Sequence, residues 1–278
     1  MTTPVYTSIW YNGNAREAAD FYCSLFPDSK ILSESPVVVS LELCGTKVMG
    51  INGGPMFKVN PSISLFVTCD SKDEADRLWN ELVQDGDIFI PIDTYPWSER
   101  YGWLQDRFGM TWQISSSGQK DGKYRIVPSM LFVGNTFGRA EEAIRFYSGI
   151  FAEATTLTMS KYPEDDPNSG KTLYSEFSLN GAEIIAMDGP GDHAYSFNEG
   201  VSFVIECENQ EEVDYYWEKL TDGGEESMCG WLKDRFGVSW QVVPKILIQL
   251  MNDQEKAPKV AESFREMRKI EINKLYHG

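Results

Sequence analysis

Imidazole side chains are scarce in this chain. There are two histidines, His193 and His277. A catalytic triad or a multi-histidine metal site needs imidazole in company. Neither histidine has it: His193 sits in a GPGDHAYSF loop segment, and His277 lies one residue from the end. The GPGD run at 189–192 is followed by no Gly-Lys-Ser/Thr, so it is not a phosphate loop. Five cysteines (Cys23, Cys44, Cys69, Cys207 and Cys229) form an odd set without C-x-x-C spacing. They read as reduced thiols of a cytoplasmic protein, not a disulfide framework or a zinc knuckle. Cys69 shares a strand face with Ile63, Leu65 and Val67 and reads as a buried, inert thiol. Cys229, which precedes Gly-Trp, is the candidate reactive thiol, although no basic neighbour in sequence would lower its pKa. Asp106 and Asp234 each begin an Asp-Arg-Phe-Gly run that reads as a tight hairpin turn.

The elements that would position these residues occur twice. Residues 101–113 read YGWLQDRFGMTWQ and residues 229–241 read CGWLKDRFGVSWQ, identical at nine of thirteen positions. Upstream, 14–26 matches 139–151, 41–55 matches 177–190, and 67–82 matches 205–220, in the same order. This is a tandem duplication. The expected organisation is a first module at 1–118, a second at 123–244 and an amphipathic helical tail at 245–278, with a polar linker at 115–123. Each copy reads as β-α-β-β-β followed by β-α-β-β-β, an α+β fold. Ala18, Phe21, Tyr22, Leu25 and Phe26 fall at helical spacing behind an Asn14/Glu17 capping box. A second helix follows Ser71 and Glu74, and its counterpart follows Asn209 and Glu212. Strands are expected at 37–43, 48–52, 63–68, 88–92 and 111–115. In the last, Met110, Trp112 and Ile114 alternate with Thr111, Gln113 and Ser115, so the Gln face looks at water or at a polar cavity. Copy two carries a polar insertion at 162–171 and lacks the DTYPWSER stretch at 93–100. The tail holds seven basic and five acidic residues and is expected to pack on the acidic body or on a second subunit.

A formal charge of −17 disfavours nucleic acid and anionic membranes, which need displaced counterions. No apolar run is long enough to span a bilayer, and the N-terminus carries no secretory signature. A cytoplasmic homo-oligomer is expected, with a small molecule of unknown identity as its partner.

The F-Y of the first helix, the N-G-G-P turn at 52–55 and the G-W-L-x-D-R-F-G-x-x-W-Q hairpin together resemble the PhnB-like branch of the vicinal-oxygen-chelate superfamily. That superfamily includes glyoxalase, bleomycin-resistance proteins and extradiol dioxygenases. The resemblance runs over nearly the whole chain, once per copy. It implies that each of the two modules pairs its own βαβββ units into a curved, cup-like sheet, with a C-terminal helical extension. In metal-using relatives, side chains of the first, fourth, fifth and eighth strands point into the cup and bind the ion. The first position falls on Thr7 and Phe132, the fifth-strand position on Ser62 and Gly200, and the eighth on Gln113 and Gln241. The fourth lies between Gly50 and Asn52, or between Ala186 and Asp188. With Thr7, Ser62 and Gln113 in one copy and Phe132, Gly200 and Gln241 in the other at the three assigned positions, none of them an imidazole, thiolate or carboxylate, neither a metal nor another cofactor is expected.

The resemblance thus implies a small-molecule binding or sequestering protein. The alternatives are a metal-dependent lyase, isomerase or dioxygenase, a scaffold built by the duplication, and the methyltransferase of the branch's label, demethylubiquinone methyltransferase. The last lacks a G-x-G-x-x-G turn for S-adenosylmethionine. The expected pocket residues are Thr7, Ile9, Tyr11, Asn52, Ser62, Ser64, Thr111 and Gln113 in copy one. In copy two they are Phe132, Asp188, Gly200 and Gln241. Phe132 would fill the second cup, leaving copy one, with a Tyr95/Trp97/Tyr101 aromatic lip, as the ligand site.

Overall fold

The structure, a computed structural model, describes residues 3–116, 124–253 and 255–276. His277 and residues 117–123 of the expected 115–123 linker, with the module boundaries at 118 and 123, lie outside the described residues, while Ser115 and Ser116 belong to the last strand of copy one. Copy one contains β1 (Val5–Tyr11), α1 (Ala15–Leu25), β2 (Lys30–Glu34), β3 (Val38–Leu43) and β4 (Thr46–Asn52). Then come β5 (Ile63–Cys69), α2 (Lys72–Leu82), β6 (Asp87–Tyr95), β7 (Ser98–Gln105) and β8 (Thr111–Ser116). Copy two repeats the order with β9 (Arg125–Phe132), α3 (Ala140–Ser148), β10 (Ala154–Lys161), β11 (Thr172–Leu179) and β12 (Ala182–Asp188). It continues with β13 (Val201–Cys207), α4 (Gln210–Thr221), β14 (Glu225–Glu226), β15 (Trp231–Lys233) and β16 (Ser239–Pro244). The tail forms α5 (Lys245–Asn252), α6 (Ala257–Glu266) and α7 (Ile272–Leu275).

Two eight-stranded mixed sheets result, and each takes one βαβββ unit from each copy. Sheet A runs β14-β15-β16-β13-β1-β4-β3-β2, and sheet B runs β10-β11-β12-β9-β5-β8-β7-β6. The seams are the antiparallel pairs β1–β13 and β5–β9. The expectation that each copy closes its own cup is therefore corrected. Both seam strands would otherwise be exposed edges with an unpaired row of N–H and C=O groups, and they satisfy each other across the copies.

Each copy still buries its own helices. The Tyr11 hydroxyl meets that of Tyr22 on α1, and Tyr22 and Phe26 pack on Trp112 of β8, joining half of sheet A to half of sheet B. Tyr147 and Phe151 repeat this on Trp240. The repeated Asp-Arg-Phe-Gly turn does more than reverse the chain. Buried Asp106 accepts from the Tyr22 hydroxyl (2.7 Å), Trp112 Nε1 (2.7 Å) and the amides of Phe108 and Met110. Asp234 does the same for Tyr147, Trp240, Phe236 and Val238.

Ser71 and Asn209 cap α2 and α4 through the amides of Glu74 and Glu212. Asn14 makes no side-chain cap for α1. Asn52 Oδ1 takes the Ala15 amide instead (2.9 Å), because the β4 end lies directly beside the helix start. The tail packs on its own chain: Val260, Met267 and Ile270 are buried. Its 267–268 backbone accepts from the amides of Cys229 and Gly230, so it lies along β15 where copy one has β6 along β7.

Candidate functional site

Alternation assigns the two faces of each sheet. On β1, Ile9 is buried, Tyr11 reaches α1, and Thr7 lies opposite Phe203, whose ring packs on Trp240. Thr7, Ile9 and Tyr11 therefore face the helices, and Tyr6, Ser8 and Trp10 face the cup. On β9, the Phe132 ring contacts Phe197 and Phe236 in the core, leaving Val127, Ser129 and Leu131 toward the cup. The expected positions Thr7, Ile9 and Tyr11 are one residue out of register and Phe132 stands three residues beyond Ser129; an odd offset turns a side chain to the opposite face of its strand.

Asn52 and Asp188 also leave the pocket. Asn52 holds the start of α1. Asp188 accepts the amides of Gly138, Ala140 and Thr172, holding the start of α3. Ser62 and Gly200 lend their carbonyls to Leu131 and Trp10 at the seams. A Cβ at Gly200 would stand 2.5 Å from the Lys58 carbonyl, so the 53–62 loop covers that point. Ser64, Thr111, Gln113 and Gln241 do lie on cup faces.

The fourth-strand position is Met49 opposite Ser8, and Ile185 opposite Ser129. Cup A thus carries Ser8, Met49, Ser202 and Gln241, and cup B carries Ser129, Ile185, Ser64 and Gln113. Neither set offers imidazole, thiolate or carboxylate, and these residues do not fit the zinc, nickel or iron of the metal-using relatives. Sequence reasoning missed Ser8 and Ser129. The signal was present, since T-S-I-W-Y (7–11) and P-S-M-L-F (128–132) align on a shared serine.

The two cups differ in how their polar groups are satisfied. In cup B the Gln113 carbonyl accepts from the Tyr101 hydroxyl (2.8 Å), and its amide donates to Ser64 Oγ (2.7 Å) and Ser129 Oγ (3.4 Å). Thr111 Oγ1 donates to the Ile63 carbonyl. Above them Tyr101, Phe66 and Tyr174, from strands spread across the sheet, join ring to ring at 6.3 and 6.4 Å. Tyr95 and Trp97 stack at 5.0 Å and pack on Tyr101. Gln113 is 3% exposed. Cup B is roofed and its floor is internally hydrogen-bonded, although Trp103 Nε1, opposite Gln113, is buried without a partner.

In cup A, Ser8, Ser202 and Ser239 stand side by side on β1, β13 and β16. Gln241 donates to Ser202 Oγ (3.0 Å). Its carbonyl has no partner among the described residues, because copy two has Cys229 where copy one has Tyr101. Ser8 Oγ and Ser239 Oγ are buried and unpartnered. Trp10 and Trp231 belong to strands three places apart, roughly 14 Å by ordinary strand spacing. Their ring centroids nevertheless meet at 5.9 Å, over β13 and β16, and Phe57 meets Trp10 at 4.9 Å.

Cys229 has a half-buried thiol that burial pushes up from its ordinary pKa, with Arg265 only partly opposing. A reactive thiol needs the opposite shift. Burial likewise pushes Cys69 up to about 12. His193 bonds the Pro190 carbonyl within its own loop (3.1 Å).

A family model described as 3-demethylubiquinone-9 3-methyltransferase matches residues 3–115 and again 124–243. The chain belongs to this PhnB-like family. A Bacillus cereus PhnB protein is 34% identical, covering 40% of this chain and 98% of its own, with a TM-score of 0.38. A Staphylococcus aureus protein is 32% identical over 42% of this chain and 98% of its own, TM-score 0.20. Glyoxalase I from Zea mays is 12% identical over 91% of this chain and 97% of its own, TM-score 0.54, a likeness of fold. No curated protein matches. The architecture is that of the vicinal-oxygen-chelate fold, in tandem, with a PhnB-like unit pair on each sheet. Among the described residues no helix is long and apolar enough to cross a membrane.

Proposed function

We propose that this PhnB-like chain is a small-molecule binding protein whose working site is cup A. One observation carries the reading: cup A buries two unpaired serine hydroxyls beneath an aromatic roof and leaves the Gln241 carbonyl without a protein partner among the described residues, whereas cup B satisfies the equivalent groups internally. A buried polar group without a partner costs about 1–3 kcal/mol, so a row of them is retained where a ligand completes it. Concave aromatic walls with a few convergent polar groups are the usual composition of a ligand site. This moves the site from Gln113, where the sequence alone placed it, to Gln241. Such a site is shared by β1 of one copy and β13 and β16 of the other.

The methyltransferase in the family's description is not part of this reading. An S-adenosylmethionine site of the doubly wound kind needs a free helix N-terminus after a Gly-rich turn. Here Asn52, Ser71, Asp188 and Asn209 fill the starts of α1, α2, α3 and α4 with the chain's own side chains.

The test is a metabolite panel screened by thermal shift, with hits measured by titration calorimetry on wild type, Gln241→Leu and Gln113→Leu. Gln241→Leu should weaken a hit by about tenfold or more, the equivalent of one buried hydrogen bond. Gln113→Leu should lower stability and leave affinity close to wild type. Affinity lost in Gln113→Leu and kept in Gln241→Leu would place the site in cup B.

A further inference from the structure

Resting on the assignment of cup A as the binding site, we infer that its ligand is an uncharged, flat ring bearing a lactam- or carboxamide-type edge, an N–H beside a C=O.

Charge decides the first part. Two ion pairs face cup A, Lys47–Glu206 (2.8 Å) and Lys233–Glu199 (2.9 Å), and each neutralises itself. Lys47 also stands over the Tyr6 ring, 3.9 Å from its centroid. The floor between them, Ser8, Ser202, Ser239 and Gln241, carries no formal charge. A charged ligand buried there would lose hydration without a counter-charge, which is more costly than burying a neutral polar group.

The hydrogen-bond inventory decides the second part. The Gln241 carbonyl can only accept, so the ligand must present a donor to it. The Ser8 and Ser239 hydroxyls have no partner and can donate to a ligand acceptor, beside Ser202, whose oxygen takes the Gln241 amide. Ser8 is 1% exposed and Ser239 is fully buried. Gln241 and the serines occupy adjacent strands of one floor, so donor and acceptor must lie close together on the ligand. A lactam or primary carboxamide does this with one planar group.

The roof decides the third. Trp10 and Trp231 approach edge to face, with an interplanar angle of 75°, and Phe57 meets Trp10 at 77°. The Trp10 indole nitrogen is held by the Gly54 carbonyl (2.8 Å), which pins the ring. Inserting a flat apolar body between such rings exchanges one aromatic contact for two.

Cup B supplies the internal comparison. There a protein group already does what the ligand would do: the Tyr101 hydroxyl donates to the Gln113 carbonyl, and its ring covers the floor. Tyr101 is itself a flat ring with a donor at its edge. The chain thus shows, in one sheet, the chemistry that the other leaves open.

The experiment measures calorimetric affinities of three probes for the full chain: 2-quinolone, 1-methyl-2-quinolone and the 1-methylquinolinium cation. The expected result is that 2-quinolone binds at least about tenfold tighter than either of the others, the value of one buried hydrogen bond. Gln241→Leu should erase its advantage over 1-methyl-2-quinolone, and Ser239→Ala should weaken both lactams while leaving the protein folded. Equal affinities for 2-quinolone and its N-methyl derivative, tighter binding of the cation, or no binding of 2-quinolone up to its solubility limit would overturn the ligand class. If the probes bind equally and Gln241→Leu abolishes all of them, the class fails and the cup A assignment survives. If 2-quinolone keeps its preference in Gln241→Leu and loses it in Gln113→Leu, the cup assignment itself fails.

Discussion

At the scale of single residues, the duplicated positions act as internal controls. Ser8 and Ser129 occupy the same place on their strands, but Ser129 receives a hydrogen bond from Gln113 while Ser8 has none. Replacing an unpaired buried hydroxyl with a methyl removes a desolvation cost, and replacing a paired one leaves its partner exposed to that cost. Ser239→Ala should therefore raise the unfolding free energy of the ligand-free protein by about 1 kcal/mol, whereas Gln113→Leu should lower it by about 1–3 kcal/mol. Urea unfolding measures both, and destabilisation by Ser239→Ala would mean that its hydroxyl already has a partner. Asp106 tests a different balance. Burial raises its pKa to about 6, against the pull of Tyr22, Trp112 and two backbone amides toward the charged form. A carboxyl whose folded pKa lies above its unfolded value stabilises the fold below the unfolded value. That contribution is lost as pH rises through the folded one. The stability advantage of wild type over Asp106→Asn should thus be larger at pH 4 than at pH 7. An advantage that shrinks on acidification would show that the four donors outweigh burial.

At the scale of elements, the clearest difference between the copies is what lies along the hairpin strand after the second helix of each. In copy one, β6 pairs with β7 and its tip brings Tyr95 and Trp97 to Tyr101; Trp97 remains 68% exposed. In copy two the shorter chain builds only the two-residue β14 there, and the tail supplies the neighbour beyond it. Gly230 marks the fit, since a Cβ there would stand 2.8 Å from Ile270 and from the Val242 carbonyl. Gln210 clasps the tail from α4, accepting the Ile272 amide and donating to the Ile270 carbonyl. Lys269–Asp214 (2.6 Å) joins the basic tail to the acidic body, but its members are too exposed to contribute much. Burial of Ile270 should dominate. Ile270→Ala should cost about 2–5 kcal/mol by thermal or urea unfolding, and truncation after Pro244 should produce aggregation. A truncated chain that melts with wild type and stays monodisperse would show that the tail is dispensable.

At the scale of the whole molecule, pairing of units across the copies makes each sheet, and each cup, a joint product. A chain cut to residues 1–118 would expose the β1 and β5 edges that normally pair with β13 and β9. Two such fragments can satisfy each other by the same antiparallel seams, with two-fold symmetry. The fragment should therefore be a dimer by light scattering, with both sheets closed by second copies of itself. A stable, monodisperse monomer would argue that a single copy can close its own sheet. Such a dimer would contain two cups built wholly from copy-one sequence. In each, Tyr101 would again be available to the Gln113 carbonyl. The fusion of diverged copies is what allows one cup to keep its internal donor while the other dispenses with it.

The sequence alone determined the duplication, the α+β class, the helix and strand order, the Trp face of the eighth strand and the amphipathic tail. Each of these is a local pattern, carried by alternation, helical spacing or direct identity between copies. It also placed Gln113 and Gln241 on the cup faces, since Trp112 and Trp240 mark the opposite parity unambiguously. The first strand offered no such marker. Val5, Ile9 and Tyr11 on one face and Tyr6 and Trp10 on the other are all apolar or aromatic, because both faces of a central strand are covered. Only helix α1, packing on Tyr11, decided that Ser8 and not Thr7 looks into the cup. Which units share a sheet was likewise beyond reach, since strand pairing is a contact between residues as far apart as Thr7 and Phe203. The same holds for the contrast between the cups: whether a buried hydroxyl has a partner depends on where Tyr101 and Cys229 come to rest, and that is a property of the assembled sheets.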